Sequence, residues 1–188
     1  VAATLGFVAG LALDEAIRLC APGADVALKW PNDVLCGNAK LAGILLEAES
    51  GPNGLAVVIG IGVNLASAPQ GLPYPAACLA ARGFIVHPER MLLALSDAWI
   101  SFERLWNGGR GMPQIRDLWL AKAAGRGSEV CVTLGDRTVE GVFETLDDSG
   151  RLILRGGDNA EIAIAAGEVH FGAAATSNSA KDRLKDHH

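Results

Sequence analysis

The rhythm of apolar and polar positions changes along this chain. Residues 2–20, "AATLGFVAGLALDEAIRLC", are apolar almost throughout, and the run halts at Pro22 and Gly23, which predicts one packed helix. Three β-rich runs follow, Val26–Trp30, Leu41–Glu49 and Leu55–Leu65. The last two are separated by "SGPNG", a turn sequence that predicts an antiparallel hairpin. These runs are nearly continuous in apolar residues rather than alternating, so they predict strands covered on both faces, with helices packed against the sheet.

A Pro-rich loop, "ASAPQGLPYPAA", comes next. Residues 88–106 then set Leu92, Leu95, Trp99, Phe102 and Trp106 at spacings of three and four, which predicts an amphipathic helix opening at Pro88 with that stripe in the core. A shorter helix around Pro113–Ala123 runs into "AAGRGS", small residues that suit a domain boundary. Beyond it the texture is of short strands, "EVCVTL", "TVEGVFETL", "RLILR" and "EIAIAAGEVHF", between Gly- and Asp-containing turns. Turn sequences at roughly 8–12-residue intervals predict a small antiparallel barrel. The chain thus divides into an α/β portion over 1–123, a β-barrel over 127–172 and a flexible tail over 173–188.

Composition narrows the classes of partner. Half of the 188 residues are hydrophobic, a fifth are charged and the net charge is −5. Nucleic-acid binding relies on clustered Lys and Arg, which this balance does not offer. The opening "VAATLGFVAGLAL" lacks a basic flank and falls short of the roughly 20 apolar residues a membrane span needs, so no membrane partner is expected. Cys20, Cys36, Cys78 and Cys131 form no Cys-x-x-Cys pair and have no His at zinc-ligand spacing, which predicts buried reduced thiols, no metal site and a cytoplasmic protein. The terminal His187 and His188 are taken as incidental. The chain also begins without Met, inside its first helix, and is expected to be cut from a longer sequence.

Common motifs fail on their own terms. "GIGVNL" over residues 60–65 holds two glycines of a dinucleotide fingerprint but lacks the third, and a Pro-rich loop stands where a helix should open. Neither a phosphate-binding P-loop nor a Gly-x-Ser-x-Gly elbow occurs. What remains is Lys40, the Asn32-Asp33 turn and a strand ending in Gly-x-Gly-x-Asn. An ammonium within an apolar run is costly to bury unpaired, so Lys40 should face a polar cleft or meet an anion such as a carboxylate or phosphate; a solvated surface lysine is the alternative. Aimed at a phosphoryl group in transfer, it would stabilise charge that develops in the transition state.

Taken together, "KWPNDV", "KLAGILLE", "VVIGIGVNL", "DDSGRLIL" and "AGEVHF" resemble the biotin protein ligases of bacterial type, over nearly the whole chain to about residue 172. That resemblance implies an α+β fold: a class II synthetase-like (biotin/lipoate ligase) mixed sheet with helices, followed by a small SH3-like β-barrel. It implies ATP and biotin as substrates, with Mg2+, and a two-step reaction. Biotin and ATP give biotinyl-5′-AMP, and a lysine of a biotin carboxyl carrier domain, the expected partner, takes the biotinyl group. A homodimer is a further expectation.

By the same resemblance Lys40 contacts the biotin carboxylate and phosphate, and Asp33 orients the incoming amine or takes its proton. Asp33 as an acid that only caps the turn is the alternative. Asn32 and Asn64 lie beside the nucleotide half, and Trp30, Gly43, Ile44, Gly60 and Gly62 complete the biotin and adenylate contacts, with Trp30 packed beneath the turn. The three glycines would let backbone and ligand approach closely, or serve as bulge and packing positions. Lys29 opens the motif as a ligand contact or an ion-pairing residue. The family's Gly-Arg-rich loop, which closes over the phosphate, is not found within residues 1–188, and "GGRG" at 108–111 is a superficial echo. The chain alone is therefore expected to be inactive, with an exposed apolar face and an unpaired strand edge. A lipoate-type ligase and a non-catalytic carrier-docking fragment are the alternatives.

Overall fold

The structure, a computed structural model, describes residues 2–52 and 54–171. The tail predicted over 173–188, with His187 and His188, lies outside the described residues. Two compact units form, one from the residues up to 124 together with 148–150, the other from 125–147 and the described residues from 151 onward.

In the first unit a 3-10 turn, Ala2–Thr4, leads into helix α1, Leu5–Cys20. α1 is buried on nearly every face, which its continuous apolar run requires. Its one deeply buried charge is Asp14, fully inaccessible, which accepts from Arg18 Nε at 2.9 Å and from Lys122 Nζ at 2.5 Å. Arg18 Nη2 also donates to Val26 O at 3.0 Å. A carboxylate is thus buried only because two cations and their hydrogen bonds replace its water. The hydrogen bond with Asp14 holds the Arg18 guanidinium pKa above its usual value.

Strands β1 (Val26–Lys29), β2 (Asp33–Cys36), β3 (Ala39–Gly51) and β4 (Gly54–Val63) make a sheet in that order, every neighbouring pair antiparallel. The β3–β4 hairpin is the one predicted from the turn residues. Past β4 come helices α2, Pro88–Trp106, opening on its proline as expected, and α3, Met112–Leu120. The segment after α3 returns to β1: Leu28 N donates to Lys122 O and Ala124 N to Leu28 O, each at 2.8 Å, as an isolated parallel bridge.

Two expectations are corrected. β3 and β4 are not covered on both faces: Leu45, Leu55 and Val58 are 60%, 56% and 62% exposed. β4 pairs only with β3 among the described residues, so its outer edge has no strand partner there. The predicted stripe of α2 is core only at Trp106. The buried positions of the helix are Met91, Ala98 and Trp106, with Trp106 Nε1 donating to Thr4 Oγ1 at 2.8 Å, whereas Leu92 is 64% exposed. Leu92, Leu95, Trp99 and Ile100 instead line an open apolar groove of about 350 Å³ with Ile59 and Ile61. Helical spacing identifies an apolar face but does not say which arc of it meets a neighbour.

In the second unit β5 (Glu129–Leu134), β6 (Arg137–Leu146), β7 (Leu152–Arg155), β8 (Glu161–Ile164) and β9 (Glu168–Phe171) form an antiparallel sheet in the order β8-β7-β6-β5-β9. The predicted run "EIAIAAGEVHF" is two strands, β8 on β7 and β9 on β5. Val132, Phe143, Leu146, Leu152 and Leu154 fill its core. All four cysteines are free and buried, as expected. No described helix is long and apolar enough to cross a membrane.

Candidate active site

The site begins with an irregularity in the β2–β3 ladder. Asp33 pairs with Gly43 and Val34 with Ala42, but Leu35 pairs with Lys40, so the register skips Leu41. Side chains alternate faces along a regular strand, and residues 40 and 43 would then point to opposite sides. The extra residue resets the alternation and brings Lys40 to the face that carries Asp33 and Gly43. Lys40 Nζ lies 2.6 Å from Asp33 Oδ1 and 5.5 Å from the centre of the Tyr74 ring. Lys29 stands opposite Asp33 in the β1–β2 register.

Backbone bonds fix this arrangement from both sides. Asn32 donates its Nδ2 to Ile44 O and accepts from Ile44 N, both at 2.8 Å, pinning the turn onto β3; the Trp30–Pro31 peptide bond in that turn is cis. On the other side Asn64 N donates to the carbonyl of Leu41, the skipped residue, at 2.9 Å. Asn64 Nδ2 donates to Ala77 O at 3.0 Å, and Leu79 N to Asn64 O at 3.1 Å. Lys40 itself takes the Pro-rich loop as a short parallel partner, its N–H donating to Pro75 O and its C=O accepting from Ala77 N, each at 2.9 Å.

These contacts border a half-open cavity of about 300 Å³ lined by Lys40, Gly43, Gly62, Asn64, Leu72 and Tyr74, among others. Gly43 and Gly62 face each other across β3 and β4 and leave its floor bare. A Cβ on Gly43 would come within 3.3 Å of Lys40 Cε, 3.4 Å of Nζ and 3.6 Å of Asp33 Oδ1, whereas one on Gly62 would meet nothing within 4 Å. The first glycine makes room for the ion pair; the second leaves the space a ligand could fill.

Of the residues expected at the site, Lys40, Asp33, Gly43, Gly62 and Asn64 come together. Trp30 does not line the cavity: it is 2% exposed and its Nε1 donates to Gly150 O at 3.0 Å, which makes it a packing residue of the first unit. Ile44 is buried at 3%, Gly60 lies opposite Leu45, and Asn32 is exposed on the turn. Both asparagines commit their amide nitrogens to the backbone. Tyr74, Leu72 and Ala76 were missed. The signal for them was the length of the structureless stretch after Gly-x-Gly-x-Asn, since long ordered loops in compact domains are commonly functional.

Among the described residues no group of three or more His, Cys, Asp or Glu could hold a metal ion. The arrangement offers instead one ammonium for an anion, a carboxylate in contact with it, an aromatic face, and a glycine floor open to a flat or extended ligand.

Residues 5–64 match the biotin/lipoate A/B protein ligase family, and residues 126–172 match the biotin protein ligase C-terminal domain. Over 179 residues the chain is 45% identical to a biotin–[acetyl-CoA-carboxylase] ligase of Paracoccus denitrificans, covering 91% of this chain and 74% of that protein. A protein of the same name from Mycobacterium tuberculosis is 34% identical over 170 residues, covering 89% of this chain and 62% of its own length. The biotin protein ligase structure from Aquifex aeolicus superposes with a TM-score of 0.76 over 91% of this chain and 76% of that one. At 22% identity that likeness speaks for the fold: an α+β unit followed by an SH3-like unit. A further structure of the Aquifex protein, in complex with biotin and ATP, superposes at 0.75. With its ion pair, its glycine floor and these relatives in agreement, the chain belongs to the biotin protein ligase family.

Proposed function

We propose that this chain serves the ATP-dependent attachment of biotin to a lysine of a biotin carboxyl carrier domain, through biotinyl-5′-AMP. The observation that carries this is the Lys40 ammonium, held over a side-chain-free floor beside a cavity of ligand size. In the first step a biotin carboxylate oxygen attacks the α-phosphorus of ATP and the bond to pyrophosphate breaks. Charge grows on the phosphoryl oxygens in that transition state, where a fixed ammonium stabilises it most. In the second step the carrier lysine displaces AMP, and Asp33 takes its proton.

We assign Gly43 and Gly62 to the ligand's floor, and Asn64 to the nucleotide half through its side-chain oxygen Oδ1. Trp30, Asn32, Ile44 and Gly60 support the site from behind. Among the described residues no metal-holding group of three or more His, Cys, Asp or Glu occurs, and Mg2+ would be held chiefly by the triphosphate of ATP. Biotin rather than lipoate is favoured by the match of residues 126–172 to the biotin ligase C-terminal domain. We extend the proposal to a cytoplasmic enzyme, to a homodimer, and to the absence of a nucleic-acid partner for these residues, the last supported by the net charge of −5.

The test is calorimetry with biotin and ATP, with single-turnover formation of biotinyl-AMP, on the complete protein and on its Lys40→Ala variant; the chain alone is expected to bind and turn over negligibly. Binding that depends on Lys40 is the expected result. Equal binding and equal turnover in the two proteins would remove Lys40 from the site.

A further inference from the structure

The carboxylate of Asp33 is 16% exposed and the side chain of Lys40 30%, and the two pair at 2.6 Å, with Lys29 opposite Asp33 on β1. An acyl phosphate reaching Lys40 brings a second anion to the same ammonium. Two anions sharing one cation repel each other, so the phosphate and Asp33 compete for it. Room for a choice exists: the ammonium rests over Gly43, and beyond it Gly62 leaves open space on the same face. A carboxylate this enclosed, once Lys40 has turned to a ligand, loses the cation that lies in contact with it and can receive another at that position.

We infer that the position beside Asp33 is an exchangeable ammonium site, held by Lys40 before the acyl phosphate forms and by the ammonium of the acceptor lysine afterwards. This rests on the function proposed above and adds to it the order of the two half-reactions. While Lys40 occupies the position, Asp33 is masked and the acceptor has no place to dock its charge. When the phosphate draws Lys40 away, the same geometry receives a primary ammonium on a flexible chain. Asp33 removes one proton from that ammonium. The amine lone pair forms the C–N bond at the acyl carbon, and the C–O bond to phosphate breaks with its electron pair left on AMP. The second N–H proton leaves to solvent.

The inference makes an unusual demand on Asp33→Asn: it should slow transfer yet tighten the binding of a phosphate-bearing ligand, because a competitor for Lys40 is removed. The probe is a non-transferable biotinyl-adenylate analogue that keeps a charged phosphodiester, titrated by calorimetry into the complete protein and its variants, with thermal unfolding as a check on folding. Removal of a competing, partly exposed ion pair predicts binding tighter by about two- to tenfold in Asp33→Asn. Asp33→Glu, which keeps the charge, is expected to stay within about twofold of the parent. Equal or weaker binding in Asp33→Asn, or a Glu variant that behaves like the Asn variant, would overturn the exchange while leaving the proposed function intact if Lys40→Ala still loses the probe. Undiminished binding by Lys40→Ala, or no binding by the complete parent protein, would count against the function itself and the exchange with it.

Discussion

The backbone N–H of Asn64 donates to the carbonyl of Leu41 at 2.9 Å, and Leu41 is the residue that the β2–β3 register skips. A bulge leaves a carbonyl without a ladder partner, and buried carbonyls need one. The residue after β4 supplies it, and its side chain then ties down the Pro-rich loop at Ala77. Asn64 thereby couples the bend that aims Lys40 to the loop that carries Tyr74.

Asn64→Ala keeps the backbone bond and loses the side-chain one. Stability is expected to fall by about 0.5–1.5 kcal/mol, the net value of one hydrogen bond. Urea unfolding measures the loss, and hydrogen exchange should rise at Ala77 more than in α1.

Lys40→Ala is expected to lower the rate of adenylate formation by about 10²–10³, the usual effect of losing one well-placed electrostatic donor. Its unfolding midpoint should hardly move, since a partly exposed ion pair contributes about 0–1 kcal/mol. Single-turnover kinetics within about threefold of the parent would refute the assignment.

Gly62→Val fills open space on the cavity floor. A β-branched residue suits a strand, so the fold is expected to be no less stable, while affinity for the biotinyl-adenylate analogue should drop by at least about tenfold because the volume is taken. Unchanged affinity with a folded variant would move the ligand elsewhere.

Asp14→Ala removes the one carboxylate that two cations share beneath α1. Breaking a buried pair typically costs about 3–5 kcal/mol; because Arg18 and Lys122 reach solvent, about 2–4 kcal/mol is expected. Chemical denaturation checks it.

The four buried cysteines should resist a thiol reagent in the native chain and react together on unfolding. Burial pushes the Cys131 thiol above its usual pKa. The fold therefore favours its neutral form: the contribution is complete below the ordinary thiol range and is lost as pH rises through the raised value. Rapid native labelling of Cys131 near neutral pH would contradict this.

By itself the sequence determined the elements and the chemical candidates. Pro88 sets the start of α2, "SGPNG" closes the β3–β4 hairpin, and Lys40 and Asp33 stand out because a charge in an apolar run needs a counter-charge; turn chemistry, periodicity and desolvation are local properties that residue order expresses. Only the tertiary structure decided which side each candidate faces. The skipped Leu41 turns Lys40 onto the Asp33 face, Pro75 and Ala77 bring Tyr74 beside it, and the stripe of α2 opens on a groove while Met91 and Ala98 are buried. Strand register and helix rotation depend on partners distant along the chain, and a one-residue slip leaves local composition unchanged while it reverses every side chain beyond it.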